Sequence, residues 1–323
     1  MDHTRDSRTA ASTAGRRPGV PRRFPRRLAA AACFVLAAAG CDDGPVMATY
    51  AGEDRMESFM QANFTRFFNV HVPERAELGP AAPVVLAFHG TSQTGELLRQ
   101  QSGLDAMADA EGFIVVYLEA AMGAWDIFGD LGFLGLDELG YVREVIERVD
   151  RAYVIDERRI LAVGLSNGGV MAQQLACKLS DRIAGIVVVA ATMPRRIANE
   201  CEASRPVSAL YVMGTADPFF PAAGNSVLLS MGETVEFWGR VNGCSGQRIR
   251  ADVPDVPGDG TTVFLSWYRP CRDGVRTGLD SIVGGGHTWP GGAVPGPPSF
   301  GPTSRDISAN AEIARFAKGI PRR

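Results

Sequence analysis

The sequence predicts an α/β fold with a mostly parallel central sheet, helices on both faces and a single domain. Short apolar runs of strand length alternate with amphipathic segments, and these runs lie at 84–88, 113–118, 160–163, 186–191 and 209–213. Near-continuous apolar strands between helices are typical of a parallel sheet that is covered on both sides. The chain is long enough for one domain of this kind to bury a large core.

The first forty residues are predicted to be an export signal. An arginine-rich segment precedes an apolar core at 28–39, which is too short to span a bilayer, and Gly40-Cys41 follows. A small-residue site that ends at a cysteine resembles a bacterial lipoprotein signal, in which Cys41 carries the lipid. Ordinary secretion after cleavage near Ala39 is the alternative. Both readings predict an exported protein, either a lipoprotein of the cell envelope or a secreted protein.

Residues 41–60 are expected to form an N-terminal linker, and residues 61–323 the folded domain. Within that domain, 64–72 is predicted to add antiparallel strands, and 307–317 has the pattern of a closing helix. The segment 290–302 is rich in proline and glycine, so we expect a long surface loop that forms one wall of a pocket.

The charge balance argues against nucleic acid as a partner. The formal net charge of the whole chain is −3, and the first forty residues contain eight arginines and two aspartates. The remainder is therefore more acidic than the whole chain and has no basic cluster. A basic cluster is the usual feature of a nucleic-acid-binding protein.

The cysteines predict disulfide bonds. Outside Cys33 and Cys41, four cysteines remain in a chain that is predicted to be exported: Cys177, Cys201, Cys244 and Cys271. They allow three pairings, and proximity along the chain favours the pair at 177 and 201 with the pair at 244 and 271. No metal site is predicted, because there is no C-x-x-C spacing and no nearby histidine pair.

A G-x-S-x-G turn at 164–168 follows one of the apolar runs and precedes a helical pattern. Such a turn holds its serine in a strained backbone conformation above the helix N-terminus. There the helix end and the N–H of Asn167 can stabilise the oxyanion that forms when Ser166 attacks a carbonyl. An ordinary glycine-rich β-α turn is the alternative. The presence of a base and an acid elsewhere in the chain must decide between these two interpretations.

The base and the acid follow the serine in the chain. A serine hydroxyl needs a base to remove its proton, and His287 is the one histidine after Ser166. It lies in a glycine-rich loop directly after a strand-like stretch. Of the seven aspartates between them, Asp217 follows the apolar run at 209–213 and its turn, and active groups collect at the carboxyl ends of parallel strands. A structural Asp-Pro turn is the alternative for this residue.

A second oxyanion donor is expected from the loop after the first apolar run. That run ends in His89-Gly90-Thr91-Ser92, and in this kind of fold the loop supplies a backbone N–H. Thr91 and Asn167 are therefore the predicted oxyanion hole. His89 is expected to orient the loop rather than to transfer protons.

These stretches together resemble the bacterial polyhydroxybutyrate depolymerase and feruloyl esterase group of α/β-hydrolases. The matching segments are 88–90, 106–117, 164–169, 214–217 and 284–290. The resemblance implies an α/β-hydrolase fold in 61–323, with Ser166 as nucleophile, Asp217 as acid and His287 as base. It also implies the two local disulfide bonds.

The substrate pocket is the part that the resemblance defines least. The segment 119–125 is similar to part of the family's pocket, and Trp125 and Trp289 are expected to contact substrate. Alternatively, Trp289 anchors its loop. Family members commonly have Tyr-Pro and Asp-Asp where this chain has Tyr117-Leu118 and Asp137-Glu138. Nothing resembles the polymer-binding domain of the extracellular polyester depolymerases, which favours soluble or oligomeric esters.

The sequence therefore predicts an exported serine hydrolase that cleaves carboxylic esters through an acyl-enzyme, without metal or organic cofactor. Its partners are expected to be a small-molecule or oligomeric ester substrate and, only through the lipid anchor, the membrane. A serine peptidase of the prolyl-peptidase kind shares the fold and residue order, but it usually carries a large extra domain. A catalytically inactive surface binding protein on the same scaffold is the other alternative, and such proteins usually lack a member of the triad.

Overall fold

A ten-stranded sheet runs through the centre of the protein. The computed structural model describes residues 50–75, 81–256 and 258–321. The strands are β1 (Tyr50–Gln61), β2 (Phe64–Arg75), β3 (Ala82–Phe88), β4 (Ile114–Leu118), β5 (Ile155–Leu165), β6 (Gly185–Val189), β7 (Ser208–Gly214), β8 (Arg248–Asp252), β9 (Thr262–Tyr268) and β10 (Thr277–Val283). Their order across the sheet is β1-β2-β4-β3-β5-β6-β7-β10-β9-β8.

The six central strands are parallel, and the four outer strands are antiparallel to their neighbours. Strand β5 lies between β3 and β6, and β10 lies beside β7 with Asp280 opposite Val212. At one edge β2 pairs with β4 and β1 with β2, and at the other edge β9 pairs with β10 and β8 with β9. The carboxyl ends of the parallel strands therefore meet along one side of the sheet, where ligands bind in open α/β sheets.

Helices cover both faces of the sheet. They are α1 (Gly95–Ser102), α2 (Leu104–Glu111), α3 (Glu138–Ala152), α4 (Asn167–Lys178), α5 (Arg195–Asn199), α6 (Met231–Val241) and α7 (Ala309–Lys318). Buried side chains of α3, α4, α5 and α6 belong to one apolar cluster, and those of α1, α2 and α7 to another. The sheet separates the two clusters, because successive side chains of a strand point to opposite faces.

The predicted fold class is confirmed by this arrangement, and each apolar run forms a central strand. Runs 84–88, 113–118, 160–163, 186–191 and 209–213 correspond to β3, β4, β5, β6 and β7. Their side chains are almost all buried. A strand that is buried on both faces needs apolar residues at nearly every position, which is why these strands were visible in the sequence.

The linker expected at 41–60 differs from the structure. Its second half forms β1, which pairs with β2 from Tyr50 to Gln61. This strand lies at the edge of the sheet and most of its side chains are exposed, among them Met56 and Met60. An exposed edge strand lacks the apolar signature of the central strands. The segment 1–40, predicted to be an export signal, and Cys41 lie outside the described residues.

Two disulfide bonds join segments of the domain. Cys177 is bonded to Cys201, and Cys244 is bonded to Cys271, which are the two pairings that proximity favoured. The first bond connects the end of α4 to the segment after α5, and the second connects the segment after α6 to the segment after β9. In the described part of the chain, no helix has the length and apolar character needed to cross a bilayer.

A carboxyl group is buried in the sheet at Asp280. Its side chain is fully buried in β10, and neither carboxyl oxygen has a hydrogen-bond partner among the described residues. Burial raises the pKa of Asp280 well above its ordinary value, and the nearby charge of Glu312 on α7 raises it further. A neutral carboxyl in an apolar layer costs far less than a charged one.

We therefore expect Asp280→Asn to stabilise the protein at neutral pH and to have little effect near pH 4. The folded-state pKa of Asp280 lies above the unfolded value, so its contribution to stability is present at low pH and is lost as pH rises. The amide of asparagine does not titrate in this range, so Asp280→Asn removes this dependence of stability on pH. Thermal unfolding from pH 4 to 8 measures this, and a gain of about 1 kcal/mol corresponds to about 2–4 °C. Equal melting temperatures at pH 8 would contradict the prediction, as would a gain of the same size at every pH.

Candidate active site

The turn between β5 and α4 presents Ser166 at the carboxyl edge of the sheet. Its backbone has φ 58° and ψ −122°, a conformation that non-glycine residues rarely adopt. The Ser166 N–H donates to the carbonyl of Val189 on β6, at 2.9 Å, which holds the turn in place. The side chain is half-buried and points to a cavity that it helps to line.

The two glycines of the turn are required by close backbone contacts. A Cβ atom added at Gly164 would lie 2.1 Å from the carbonyl oxygen of Gly168, and one added at Gly168 would lie 2.1 Å from that of Phe88. Neither separation is possible for real atoms, so any other residue would push α4 away from β3 and β5. The two glycines of the G-x-S-x-G pattern are therefore required by the close packing of the backbone.

Neighbouring strands bring Asp217 and His287 together. Asp217 follows β7, His287 follows β10, and these two strands are parallel neighbours. The His287 Nδ1–H donates to Oδ2 of Asp217 at 2.7 Å. The other carboxylate oxygen accepts the backbone N–H groups of Phe219 and Phe220, at 2.8 and 2.9 Å. The carboxylate therefore fixes the ring orientation and leaves Nε2 for another partner.

Three phenylalanines enclose the imidazole of His287. Phe220 stacks on it with ring centroids 5.9 Å apart, and Phe219 and Phe300 meet it edge-on at 4.9 and 5.5 Å. These contacts limit the ring to one orientation at the cavity wall. The sequence analysis missed this aromatic enclosure; the Phe-Phe pair two residues after Asp217 was its only local signal.

Ser166 and His287 line one cavity of about 920 Å³. The other lining side chains are mainly apolar, and they include Leu97, Ile127, Phe128, Val170, Pro194, Phe219, Phe220, Val227, Leu228, Val294 and Phe300. The polar part of the wall contains three glutamines, at 93, 100 and 101, beside Thr91, Ser92 and Asn167. Among the described lining residues, none is an aspartate, a glutamate, a lysine or an arginine. The segment 294–297 contributes to the wall as the sequence predicted for 290–302.

Thr91 and Asn167 line the same cavity as Ser166. The neighbouring N–H groups of the loop are already engaged: Gly90 donates to Oε1 of Gln93 at 2.9 Å, and Ser92 donates to the carbonyl of Gly123 at 2.7 Å. Within the described ranges, the N–H groups of Thr91 and Asn167 have no recorded acceptor. Free donors beside a nucleophile are available to a developing oxyanion.

The two tryptophans lie behind the cavity wall and do not line it, which differs from the substrate contacts expected for them. Trp289 is 1% exposed, and its Nε1–H donates to Oδ1 of Asn310 on α7 at 3.0 Å. It therefore anchors its loop. Trp125 is 3% exposed and donates through both of its N–H groups to other residues of the site. Each indole uses its polar edge on a protein partner, as buried indoles usually do.

His89 is buried behind the Thr91 loop. Its Nε2 accepts the N–H of Ala120 at 3.1 Å, so Nδ1 carries the proton and donates to the carbonyl of Gly90 at 2.8 Å. Burial lowers the pKa of His89, which keeps the ring neutral. A neutral ring with both nitrogens engaged orients the loop and has no free position for proton transfer.

Two groups of side chains outside the cavity have the spacing of metal ligands. Asp54, His71 and Asp105 form one of them, but Arg99 donates to both carboxylates, at 2.6 and 2.5 Å. The arginine already neutralises these oxygens, so they form an ion network. The second group is Asp255, Asp259 and Asp306. Oxygens of Asp259 and Asp306 accept backbone N–H groups of nearby loops.

Comparison with known proteins finds a family model and relatives that are similar to this chain in sequence. Residues 67–223 match the model of the family described as esterase PHB depolymerase. A protein named "Putative esterase NocK", from Nocardia uniformis subsp. tsuyamanensis, is 31% identical over 278 residues, which cover 80% of each chain. Feruloyl esterase B of Piromyces equi is 27% identical over 64% of this chain, which spans only 40% of that protein.

A solved structure shows the same fold. The acetyl xylan esterase from Aspergillus awamori superposes with a TM-score of 0.57 at 15% identity, covering 82% of this chain and 99% of that one. At this identity the likeness concerns the fold alone. The relationship to the esterase from Nocardia extends over four-fifths of both chains. The chain therefore belongs to the esterase PHB depolymerase family of α/β-hydrolases and is a serine hydrolase that acts on carboxylic esters.

Proposed function

We propose that the protein hydrolyses neutral carboxylic esters through an acyl-enzyme on Ser166, with His287 as base and Asp217 as orienting acid. The observation that carries this proposal is the hydrogen bond of 2.7 Å between His287 and Asp217 at the wall of the cavity that Ser166 also lines. That bond leaves Nε2 of His287 directed away from the carboxylate, as a base for serine requires.

The reaction then proceeds in two stages. His287 takes the proton of Ser166 as the serine oxygen attacks the ester carbonyl, and the N–H groups of Thr91 and Asn167 hold the oxyanion. The imidazolium returns its proton to the leaving alkoxide, which departs as the alcohol and leaves the acyl group on Ser166. Water repeats the sequence on the acyl-enzyme and releases the acid.

Asp217 stabilises the cationic form of His287 during both stages. Its second oxygen accepts two backbone N–H groups, which hold the carboxylate in place. The ring of His287 is almost fully buried and packs against three phenylalanines. Because the ring orientation is fixed before substrate binds, little reorganisation is needed at the moment of proton transfer.

The cavity favours an uncharged, largely apolar acyl group. Its described lining offers no cation to pair with a carboxylate and no acid to pair with an amine. A charged substituent inside it would lose hydration without compensation. The glutamines at 93, 100 and 101 provide a polar wall that hydrogen-bonds neutral groups of an alcohol. The relatives named feruloyl esterase and esterase support an ester of this general kind.

We further propose that the protein is exported and anchored through a lipid on Cys41. The arginine-rich segment, the apolar core and Gly40-Cys41 support this location. Two disulfide bonds in the domain fit an oxidising compartment, since such bonds rarely persist in a reducing cytosol.

Ser166→Ala and His287→Ala should each lower ester turnover by about three orders of magnitude or more and leave the fold intact. The first variant removes the nucleophile and the second removes the base. Turnover of a 4-nitrophenyl ester and thermal unfolding measure the two effects, and His71→Asn, outside the cavity, is the control. Retention of more than about a tenth of wild-type turnover by either variant would overturn the assignment. Asp217→Asn should also be severe, because the amide favours the wrong tautomer.

A carboxylate at the end of the acyl chain should lower kcat/KM by about 10-fold or more, because its burial is uncompensated. The comparison is 4-nitrophenyl octanoate against mono-4-nitrophenyl suberate, which have acyl chains of equal length. Val227→Arg at the cavity wall should reduce the difference in kcat/KM between the two esters. Ile249→Arg, at a similarly exposed position on β8, should leave this difference unchanged. Equal rates on the two esters in the unchanged enzyme would rule out the proposed charge selectivity.

Cells that are fed a labelled fatty acid should incorporate it into the unchanged protein and not into Cys41→Ser. The proposed attachment point is the thiol of Cys41, which serine lacks. Fractionation of the same cells should place the unchanged protein with membranes and release the variant. Equal labelling of both proteins, or labelling of neither, would refute the anchor.

A further inference from the structure

Trp125 connects the two segments that carry the oxyanion donors. Its backbone N–H donates to Oδ1 of Asn167 at 2.7 Å, and its indole Nε1–H donates to the carbonyl oxygen of His89 at 2.9 Å. The first bond reaches the start of α4, and the second reaches the loop that leads to Thr91. One buried residue therefore joins both halves of the proposed oxyanion hole.

The segment that carries Trp125 contacts the Thr91 loop at two further points. The N–H of Ala120 donates to Nε2 of His89, and the carbonyl of Gly123 accepts the N–H of Ser92 at 2.7 Å. Segment 120–125 thus follows the loop closely and engages its backbone from outside the cavity. The N–H of Thr91 has no acceptor within the described ranges, so it remains a free donor of that loop.

The indole ring of Trp125 is held by its neighbours. Phe88 meets it edge-on with ring centroids 5.1 Å apart, and Tyr141 stacks on it at 6.4 Å. The ring of His89 lies 5.2 Å away. A side chain packed on several sides has one rotamer available, so its Nε1–H has a fixed direction.

Trp125 has no access to substrate. It is almost fully buried and is not among the residues that line the cavity. Its effect on the reaction must therefore pass through the groups to which it donates.

We propose that Trp125 is a positioning residue that sets the spacing between the N–H groups of Thr91 and Asn167. This proposal rests on the proposed function, because it concerns the oxyanion hole of that same site. On the side of the strand, the contact of Gly168 with Phe88 brings the two segments together. Trp125 joins the same two segments through its hydrogen bonds to Asn167 and His89.

The expected consequence is a loss of transition-state binding. Oxyanion donors act most strongly on the charge that develops during attack, and they contribute little to binding of the neutral ester. A displaced donor should therefore lower kcat and leave KM nearly unchanged. If Trp125 were purely structural, its replacement would lower thermal stability without lowering kcat at constant KM.

The test is Trp125→Phe, which keeps an aromatic ring and the backbone N–H and removes the indole donor to His89 together with part of the buried ring. We expect kcat to fall by about 10-fold or more, less than the 100- to 1,000-fold that loss of a whole oxyanion donor costs, with KM within about twofold. The affinity of a trifluoromethyl ketone, which forms a tetrahedral adduct with the serine, should fall by the same factor as kcat/KM.

The matched control is Trp238→Phe. Trp238 is fully buried in α6, outside the cavity lining, so this change removes the same atoms from the core. It should lower the melting temperature without lowering kcat. A Trp125→Phe enzyme with unchanged kcat and ketone affinity would overturn the proposal, even if it were less stable.

A second variant keeps the proposal testable if Trp125→Phe does not fold. Asn167→Ala removes the acceptor of the Trp125 backbone N–H and keeps the N–H of residue 167 itself. It should show the same fall in kcat at constant KM, and an unchanged kcat would count against the proposal. If Ser166→Ala is inactive while both of these variants are fully active, only the role of Trp125 is wrong. If Ser166→Ala retains turnover, the proposed function itself fails.

Discussion

The contact between the end of β3 and the start of α4 is the constraint on which the site depends. The Gly168 Cα lies so close to the Phe88 carbonyl that even a methyl group would collide with it. This contact fixes the distance from the nucleophile turn to the loop after β3. Ser166 then adopts a left-handed φ because the chain must reverse within one residue. Packing of three backbone segments therefore determines where the serine oxygen and both candidate donors lie.

A second close contact aligns the acid and the base. An atom added at Gly214, at the end of β7, would lie 2.2 Å from the carbonyl of Gly285, in the loop after β10. The two loops run side by side, and Asp217 and His287, 70 residues apart in the chain, reach hydrogen-bond distance. Strands β8 and β9 lie between them in sequence but outside them in space. Glycine at both contacts lets the strand ends approach each other directly.

The sequence was informative where one local pattern decides the structure. The doubly buried strands β3 to β7 and the G-x-S-x-G turn each need particular residues at particular positions. Strands β1 and β8 could not be recognised from an apolar run, because an edge strand that is exposed to solvent tolerates polar residues. The aromatic enclosure of His287 was missed for another reason: Phe300 comes from a distant loop, and only the fold brings it to the ring.

The tryptophans show why composition near a motif does not reveal a substrate contact. Trp125 and Trp289 lie beside catalytic segments in sequence, yet each directs its N–H to a protein acceptor and is buried. Other residues that face the cavity, such as Val227 and Val294, have no hydrogen bond to the nucleophile turn within the described ranges. That part of the cavity wall is therefore built by segments other than the one that supports the oxyanion donors. Substitutions at Val227 or Val294 can change which acyl group fits without moving the N–H groups that stabilise its oxyanion.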